Sequence, residues 1–166
     1  MKLVGFNEKV FDALWKWQQD PEIRKSMGGM SVELTEIELR AEYATFMVGG
    51  RCTVYGVEAE KDGPIVGAFI LENIHKRHKR FDLHVVFGKG FERHAKGATK
   101  LLLDFMFNEN DFKWVHCAIP EGHSKVENLI KRVGAVCRCQ IPEYFNFQDG
   151  VVAGNFYSLS KNKRKV

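Results

Sequence analysis

Apolar residues along this chain recur at a spacing of two in some stretches and of three or four in others, and the alternation of these periods orders the predicted elements. Lys2–Phe6 reads as a short strand. Asn7 is placed to cap a helix running through Gln18, with Val10, Phe11, Leu14 and Trp17 on its inward side. Asp20 and Pro21 read as an N-cap followed by proline at the first helical position, starting a short second helix that Gly28-Gly29 should stop. Thr35 and Glu38 have capping-box spacing, and Leu34, Ile37, Ala41, Ala44 and Val48 form the predicted inward stripe of a third helix up to Gly49-Gly50.

Strands are then predicted over Cys52–Glu60, Ile65–Ile74 and Phe81–Phe87, as an antiparallel meander whose first turn is Lys61-Asp62-Gly63. A basic turn follows, then a helix with Ala98, Leu101, Leu102 and Phe105 on one stripe. Trp114–Ile119 reads as a strand ended by Pro120, and Val126, Leu129, Ile130 and Val133 mark a helix that Gly134 caps. Two last strands, Ala135–Ile141 and Asn155–Ser160, are separated by a predicted loop over Pro142–Gly154 that contains Asp149-Gly150. With no repeat or linker in this string, one domain over residues 1–160 is expected, followed by a basic tail over 161–166.

Composition agrees with a single core: 166 residues, 45% hydrophobic and 28% charged. The net charge of +4 is mild and partly sits in the terminal KNKRKV, which disfavours nucleic acid as a partner. No apolar run has the length of a membrane span, and MKLVGF with Glu8 and Asp12 close behind does not read as a signal peptide. The expected location is therefore the cytoplasm, that of a host if the chain is phage-encoded. Cys52, Cys117, Cys137 and Cys139 suggest neither a disulfide framework nor a zinc knuckle, and His75 and His78 lie in a basic turn without further ligands, so no metal is expected.

The stretch carrying most chemistry is Phe81–Phe107, where a strand gives way to the basic turn and then a helix. The first N–H groups of a helix lack intrahelical partners and, with the helix dipole behind them, favour an anion. Arg93, His94, Lys96 and Lys100 add positive or polar side chains, and Gly97 allows close approach of the backbone, so the turn suits a phosphate.

The order strand, helices, three strands, helix, strand, helix, two strands resembles the GNAT N-acetyltransferase family over nearly the whole chain. That resemblance implies an α/β fold with a mixed, mainly antiparallel central sheet flanked by helices. The family's Q/R-x-x-G-x-G/A turn, which holds the pyrophosphate of acetyl-CoA, corresponds to His94-Ala95-Lys96-Gly97-Ala98-Thr99, with His94 in place of Gln or Arg and Thr99 in place of a smaller residue. Implied cofactor contacts are Val85, Phe87, Arg93, His94, Lys96, Gly97, Ala98, Thr99 and His123. Val115–Ala135 resembles the fifth strand, splayed loop and following helix, with His123 replacing an Asn and Ile130 replacing the Tyr often used as general acid. DPEIRKSMGG and EYFNFQDGVVAGNFYSLS are most similar to the branch that acetylates ribosomal proteins, protein N-termini or small amines.

The implied activity is direct transfer of acetyl from acetyl-CoA to a primary amine of a small molecule or protein, which needs a base, carbonyl-polarising donors and protonation of the leaving thiolate. Asp82, His84 and Val86 share one strand face, making His84 the first candidate base, with Glu72 on the preceding strand as the second. Ser124 and Tyr144 are available to protonate the thiolate, with Tyr157 on the last strand, and Ser124 is the catalytic candidate among them; Asp82 and Tyr144 are candidate substrate contacts. The alternative is a catalytically degenerate member serving as a binding or structural protein. Edge strands near the end of the chain could pair with a second copy.

Overall fold

The computed structural model describes residues 1–26, 34–50, 52–147 and 150–163. Seven strands form one sheet in the order β1-β2-β3-β4-β5-β7-β6. They are β1 (Lys2–Gly5), β2 (Thr53–Glu58), β3 (Ile65–His75), β4 (Arg80–Phe87), β5 (Trp114–Pro120), β6 (Val136–Phe147) and β7 (Gly150–Ser160). The helices are α1 (Glu8–Gln18), α2 (Pro21–Ser26), α3 (Glu36–Val48), α4 (Ala95–Asp104) and α5 (Ser124–Arg132). All neighbouring strands are antiparallel except β4 and β5. This is the mixed α/β sheet expected from the element order.

Local chemistry explains the helix starts. Asn7 Oδ1 accepts from the Val10 N–H at 3.0 Å, and Asp20 Oδ1 accepts from the Glu22 N–H at 2.9 Å ahead of Pro21. Thr35 and Glu38 form a reciprocal capping box. Gly134, at φ +102°, closes α5 as its predicted cap. The β2–β3 turn places Asp62 in the left-handed region at φ +58°. Gly28-Gly29 and Asp149 lie outside the described residues.

Two expectations are corrected. The inward stripe of α3 is Leu39 and Tyr43, both buried, whereas Ile37 and Val48 are 80% and 90% exposed. The Pro142–Gly154 segment is not a loop but most of a long β6–β7 hairpin, paired at Phe145↔Val152 and Phe147↔Gly150. Pro142 is tolerated because it falls in the register irregularity between Ile141 and Phe145, on the outermost strand.

The sheet is covered unequally. On one face α4 packs Ala98, Leu102 and Leu103 against Val66, Phe69, Phe81 and Leu83, while α5 sets Ile130 beside Ile119 and Tyr157. On the other, α1 and α3 pack Phe11, Leu14, Trp17, Leu39 and Tyr43 against Val54, Ile65, Ala68, Ile70 and Val86. Among the described residues, that second core draws on β2, β3 and β4 and takes none from β5, β6 or β7. Past β4, this face of the sheet carries no helix among the described residues.

Gly67 pairs with Phe87 across β3 and β4, and a Cβ on Gly67 would lie 2.4 Å from the Phe87 ring. The ring therefore lies over the glycine at the end of β4. Gly67→Ala is expected to cost about 1–3 kcal/mol, the usual penalty for overpacking, read as a shift in the urea midpoint at unchanged slope. An unchanged midpoint would show that the ring moves aside freely.

Candidate active site

Strands β4 and β5 run parallel but pair only at Arg80↔Trp114, Phe81↔Val115 and Asp82↔His116. Beyond that point β4 continues on β3 alone and β5 on β7 alone, so a wedge opens between Leu83–Phe87 and Cys117–Pro120. Backbone groups on both sides of the wedge have no strand partner there among the described residues. Such groups call for hydrogen bonds from water or from an extended ligand. The wedge widens toward the carboxyl ends of two parallel strands, where open α/β sheets bind ligands.

At the wide end, the predicted phosphate turn has a defined shape. Gly88 is buried under Trp17, whose Nε1 would be 2.6 Å from a Cβ at that position, and Gly90 takes φ +84°. A 3-10 turn, Glu92–His94, leads directly into α4, and neither of the two helical starts carries a side-chain cap. Arg93, Lys96 and Gly97 are exposed. A Cβ on Gly97 would meet only the Met1 side chain, with Cε at 3.2 Å, so the fold does not itself demand glycine there. His94 is half-buried, takes a hydrogen bond from Arg93 Nε at 3.2 Å and lies beside the Phe91 ring. Ala98 and Thr99 turn into the core, and Thr99 Oγ1 is buried without a hydrogen-bond partner. Their side chains therefore offer no surface to a ligand in this conformation. Val85 and Phe87, on the α4 side of β4, are partly exposed. His123, at the start of α5, stacks on Phe147 at 6.4 Å.

On the opposite face, at the narrow end of the wedge, two of the predicted catalytic residues meet. His84 Nε2 lies 3.1 Å from Glu72 Oε2, a diagonal contact across β3 and β4. The hydrogen bond from His84 is the main reason the Glu72 carboxyl sits below its ordinary pKa; burial opposes this and the His84 charge assists it. Nearby charge is acidic. Glu42 on α3 is pushed up by burial and by Glu72, and Cys52 is pushed up to about 11 by the same two causes. Tyr43 is raised by burial and by Glu42, Cys52 and Glu72.

Two residues before His84 on the same face of β4, Asp82 accepts from Asn73 Nδ2 at 2.8 Å. It lines an open pocket of about 360 Å³ together with His75, Arg80, His116, Arg138 and Phe156. Tyr144 stands over Gly154 and meets Phe156 edge to face at 4.7 Å, so it reaches the same uncovered face from β6 rather than from a loop. The sequence does not announce His116, Arg80 and Arg138 as a group, because only the β4–β5, β5–β7 and β6–β7 registers bring them together. Burial chiefly lowers His116, with Asp82 opposing. Cys117 is pushed up to about 12 by burial, which removes it as a ready nucleophile.

Ser124 is not brought to this group. It begins α5 beyond Pro120, the far end of β5, and Pro120 is about 13 Å of strand past His116. Ile130, at the position where the family often has a tyrosine, is buried in the core. Tyr157 is committed to the Glu127–Lys131 pair on α5, with Lys131 Nζ 5.7 Å from its ring. Among the described residues, no group of His, Cys, Asp and Glu could hold a metal ion, and no helix is long and apolar enough to cross a membrane.

Comparison with known proteins bears on the family and the fold. A family model described as an acetyltransferase (GNAT) domain matches residues 1–136. No curated protein matches the sequence. Among solved structures, spermidine N-acetyltransferase from Vibrio cholerae in complex with CoA and spermine superimposes with a TM-score of 0.84 at 15% identity, covering 98% of this chain and 96% of that one. A point mutant of spermidine N-acetyltransferase from the same organism gives 0.82 at 12% identity, covering 98% and 96%. A candidate acetyltransferase from T. thermophilus gives 0.77 at 20%, covering 97% and 86%. At these identities the likeness is one of fold.

The Glu72–His84 contact makes stability depend on pH. Because the folded carboxyl is depressed, its contribution is present above the ordinary glutamate pKa and is lost as pH falls through the folded value. Wild type should therefore exceed Glu72→Gln in unfolding free energy near neutrality, and the two should converge below roughly pH 4. A difference that stays constant from neutral to acid pH would mean that the carboxylate charge plays no part.

Proposed function

This chain belongs to the GNAT acetyltransferase family, and from that premise we propose that it transfers the acetyl group of acetyl-CoA directly to a primary amine. The observation that carries the reading is the wedge: unpaired edges of β4 and β5 narrowing onto the Glu72–His84 pair, with a basic helix start at the wide end. The residues present fit acetyl-CoA. Arg93, Lys96 and the backbone around Gly97 would hold the pyrophosphate, and the β4 edge near Val85 and Phe87 would pair with the extended arm. When bound, the thioester supplies the activated acetyl group.

The protein's share is orientation and proton handling. His84, held by Glu72, accepts the proton of the attacking ammonium so that the amine is neutral when it attacks. Asp82 and Tyr144 flank the approach of the acceptor on the uncovered face, and N–H groups of the β4 edge polarise the acetyl carbonyl. A thiolate leaving without Tyr at Ile130 takes its proton from solvent or from the protonated base. The acceptor class within this reading spans protein N-termini, lysines and small amines, the N-terminal branch being favoured only by the likeness of DPEIRKSMGG and the β6–β7 segment.

A second reading, a scaffold without activity, is favoured by one observation: Ile130, buried and apolar where the family often has its acid. Two variants separate the readings. His84→Ala is expected to lower turnover on a responsive amine by about 10²–10⁴-fold while leaving acetyl-CoA binding intact. Gly97→Val should stay folded and lose saturable acetyl-CoA binding by calorimetry, because a branched side chain would fill the exposed face of the turn, which only the end of the Met1 side chain now approaches. A well-folded wild type that binds no acetyl-CoA sinks the transferase reading and leaves the scaffold.

A further inference from the structure

The pocket beside Asp82 carries charge of a kind that the transfer reaction does not require. Of its lining groups Arg80 and Arg138 are guanidiniums, and neither forms an ion pair among the described residues. Arg138 spends its Nε on the Ser158 hydroxyl at 2.6 Å, which fixes the plane of the group and leaves its terminal N–H donors unspent. Both arginines lie close enough to His116 to lower its pKa, so their charges converge on the pocket from β4 and β6. The one carboxylate of the pocket, Asp82, is held by the Asn73 amide on the side toward β3.

The other carboxylates lie toward the opposite end. Glu72 pairs with His84, and Glu42 is near enough to Glu72 to feel its charge. Charge therefore runs from acidic at Glu42 and Glu72, past Asp82, to basic at Arg80 and Arg138. An acceptor lying along it with its ammonium at the His84 end would meet guanidiniums with its remainder. A polyamine, cationic at both ends, fits that gradient poorly, because its second ammonium would be set against two like charges.

The geometry points to an acceptor that is an amine bearing a carboxylate, its ammonium directed at Glu72 and His84 and its carboxylate held by Arg80 and Arg138. This deepens the acetyl-transfer reading of the same site and rests on it for the word acceptor, but not for the binding. Planar, forked donors suit carboxylate geometry, and the aromatic edge of Phe156 with Tyr144 above it provides an apolar flank for the connecting carbons. The carboxylate has two sources: a free amino acid, or an acidic side chain close to the N-terminus of a polypeptide.

The test is direct binding to the intact protein, measured by calorimetry at low salt with three probes: glutamate, a tetrapeptide with acidic residues at its second and third positions, and spermidine. At least one acidic probe is expected to bind, more tightly than spermidine, and to weaken about ten- to a hundredfold in Arg138→Ala and in Arg80→Gln. Arg138→Lys, which keeps the charge without the fork, should fall between wild type and Arg138→Ala. Preference for glutamate assigns the small-molecule source, and preference for the peptide the polypeptide source. Tighter binding of spermidine, no binding of either acidic probe, or acidic binding indifferent to both arginine variants overturns the proposal. Acetyl-CoA binding in the same samples reports separately on the transferase reading, so failure of one is distinguishable from failure of the other.

Discussion

Three residue pairs between β4 and β5 determine how the rest of the molecule is arranged. A parallel pair in an otherwise antiparallel sheet requires a crossover, and α4 supplies it. Once the pairing stops at Asp82 and His116, each strand is held only by its outer neighbour, β3 on one side and β7 on the other. The divergence sets the two helix starts, at Arg93–Lys96 and at His123–Ser124, after the separated carboxyl ends of the strands. It also puts the last shared rung, Asp82 opposite His116, at the vertex where the proposed chemistry would occur.

The unequal covering of the sheet supplies the other half of the site. α1 and α3 bury the lower-numbered strands and stop at Val86, so His84 and Glu72 lie at the boundary between a packed face and a bare one. There the pair is partly desolvated, which strengthens its hydrogen bond, yet remains within reach of an acceptor. The bare continuation over β5, β7 and β6 is polar and aromatic rather than aliphatic, as a surface meant to face solvent or a charged ligand has to be. Arg138 reaches it where β6 pairs with β7 alongside His116, and Tyr144 where the hairpin passes the end of β5 at Pro120 and Gly154.

Much of this is legible in the chain where the determinant is local. Asn7, Thr35 with Glu38, and Gly134 mark their helix ends because capping depends on residues within one turn. The two-residue period of β4 puts Asp82 and His84 on one face, and Glu72 follows from its place on the neighbouring strand. What stays hidden depends on partners distant in sequence. On α3 the stripe Ile37, Ala41, Ala44 and Val48 is as periodic as the true inward pair Leu39 and Tyr43, and only packing against α1 and β2 decides between them. Pro142 and Asp149-Gly150 suggest a loop, but a proline on an outermost strand at a register break costs no ladder bond. The meeting of Arg80, His116 and Arg138 depends on strand order, which periodicity does not encode.

The short shared ladder also bears on how the molecule holds together. The block from β1 to β4 with α1 to α3, and the block from β5 to β7 with α5, each have their own hydrogen-bonded strands and their own buried residues. Between them run the three rungs at the vertex and the apolar layer under α4, to which Val115 and Leu159 also belong. The two blocks are thus joined by a short ladder and a shared apolar layer. Any extended molecule that hydrogen-bonds to the free edges of the wedge lengthens that joint, so a reactant occupying it would serve for a time as a beam in the frame.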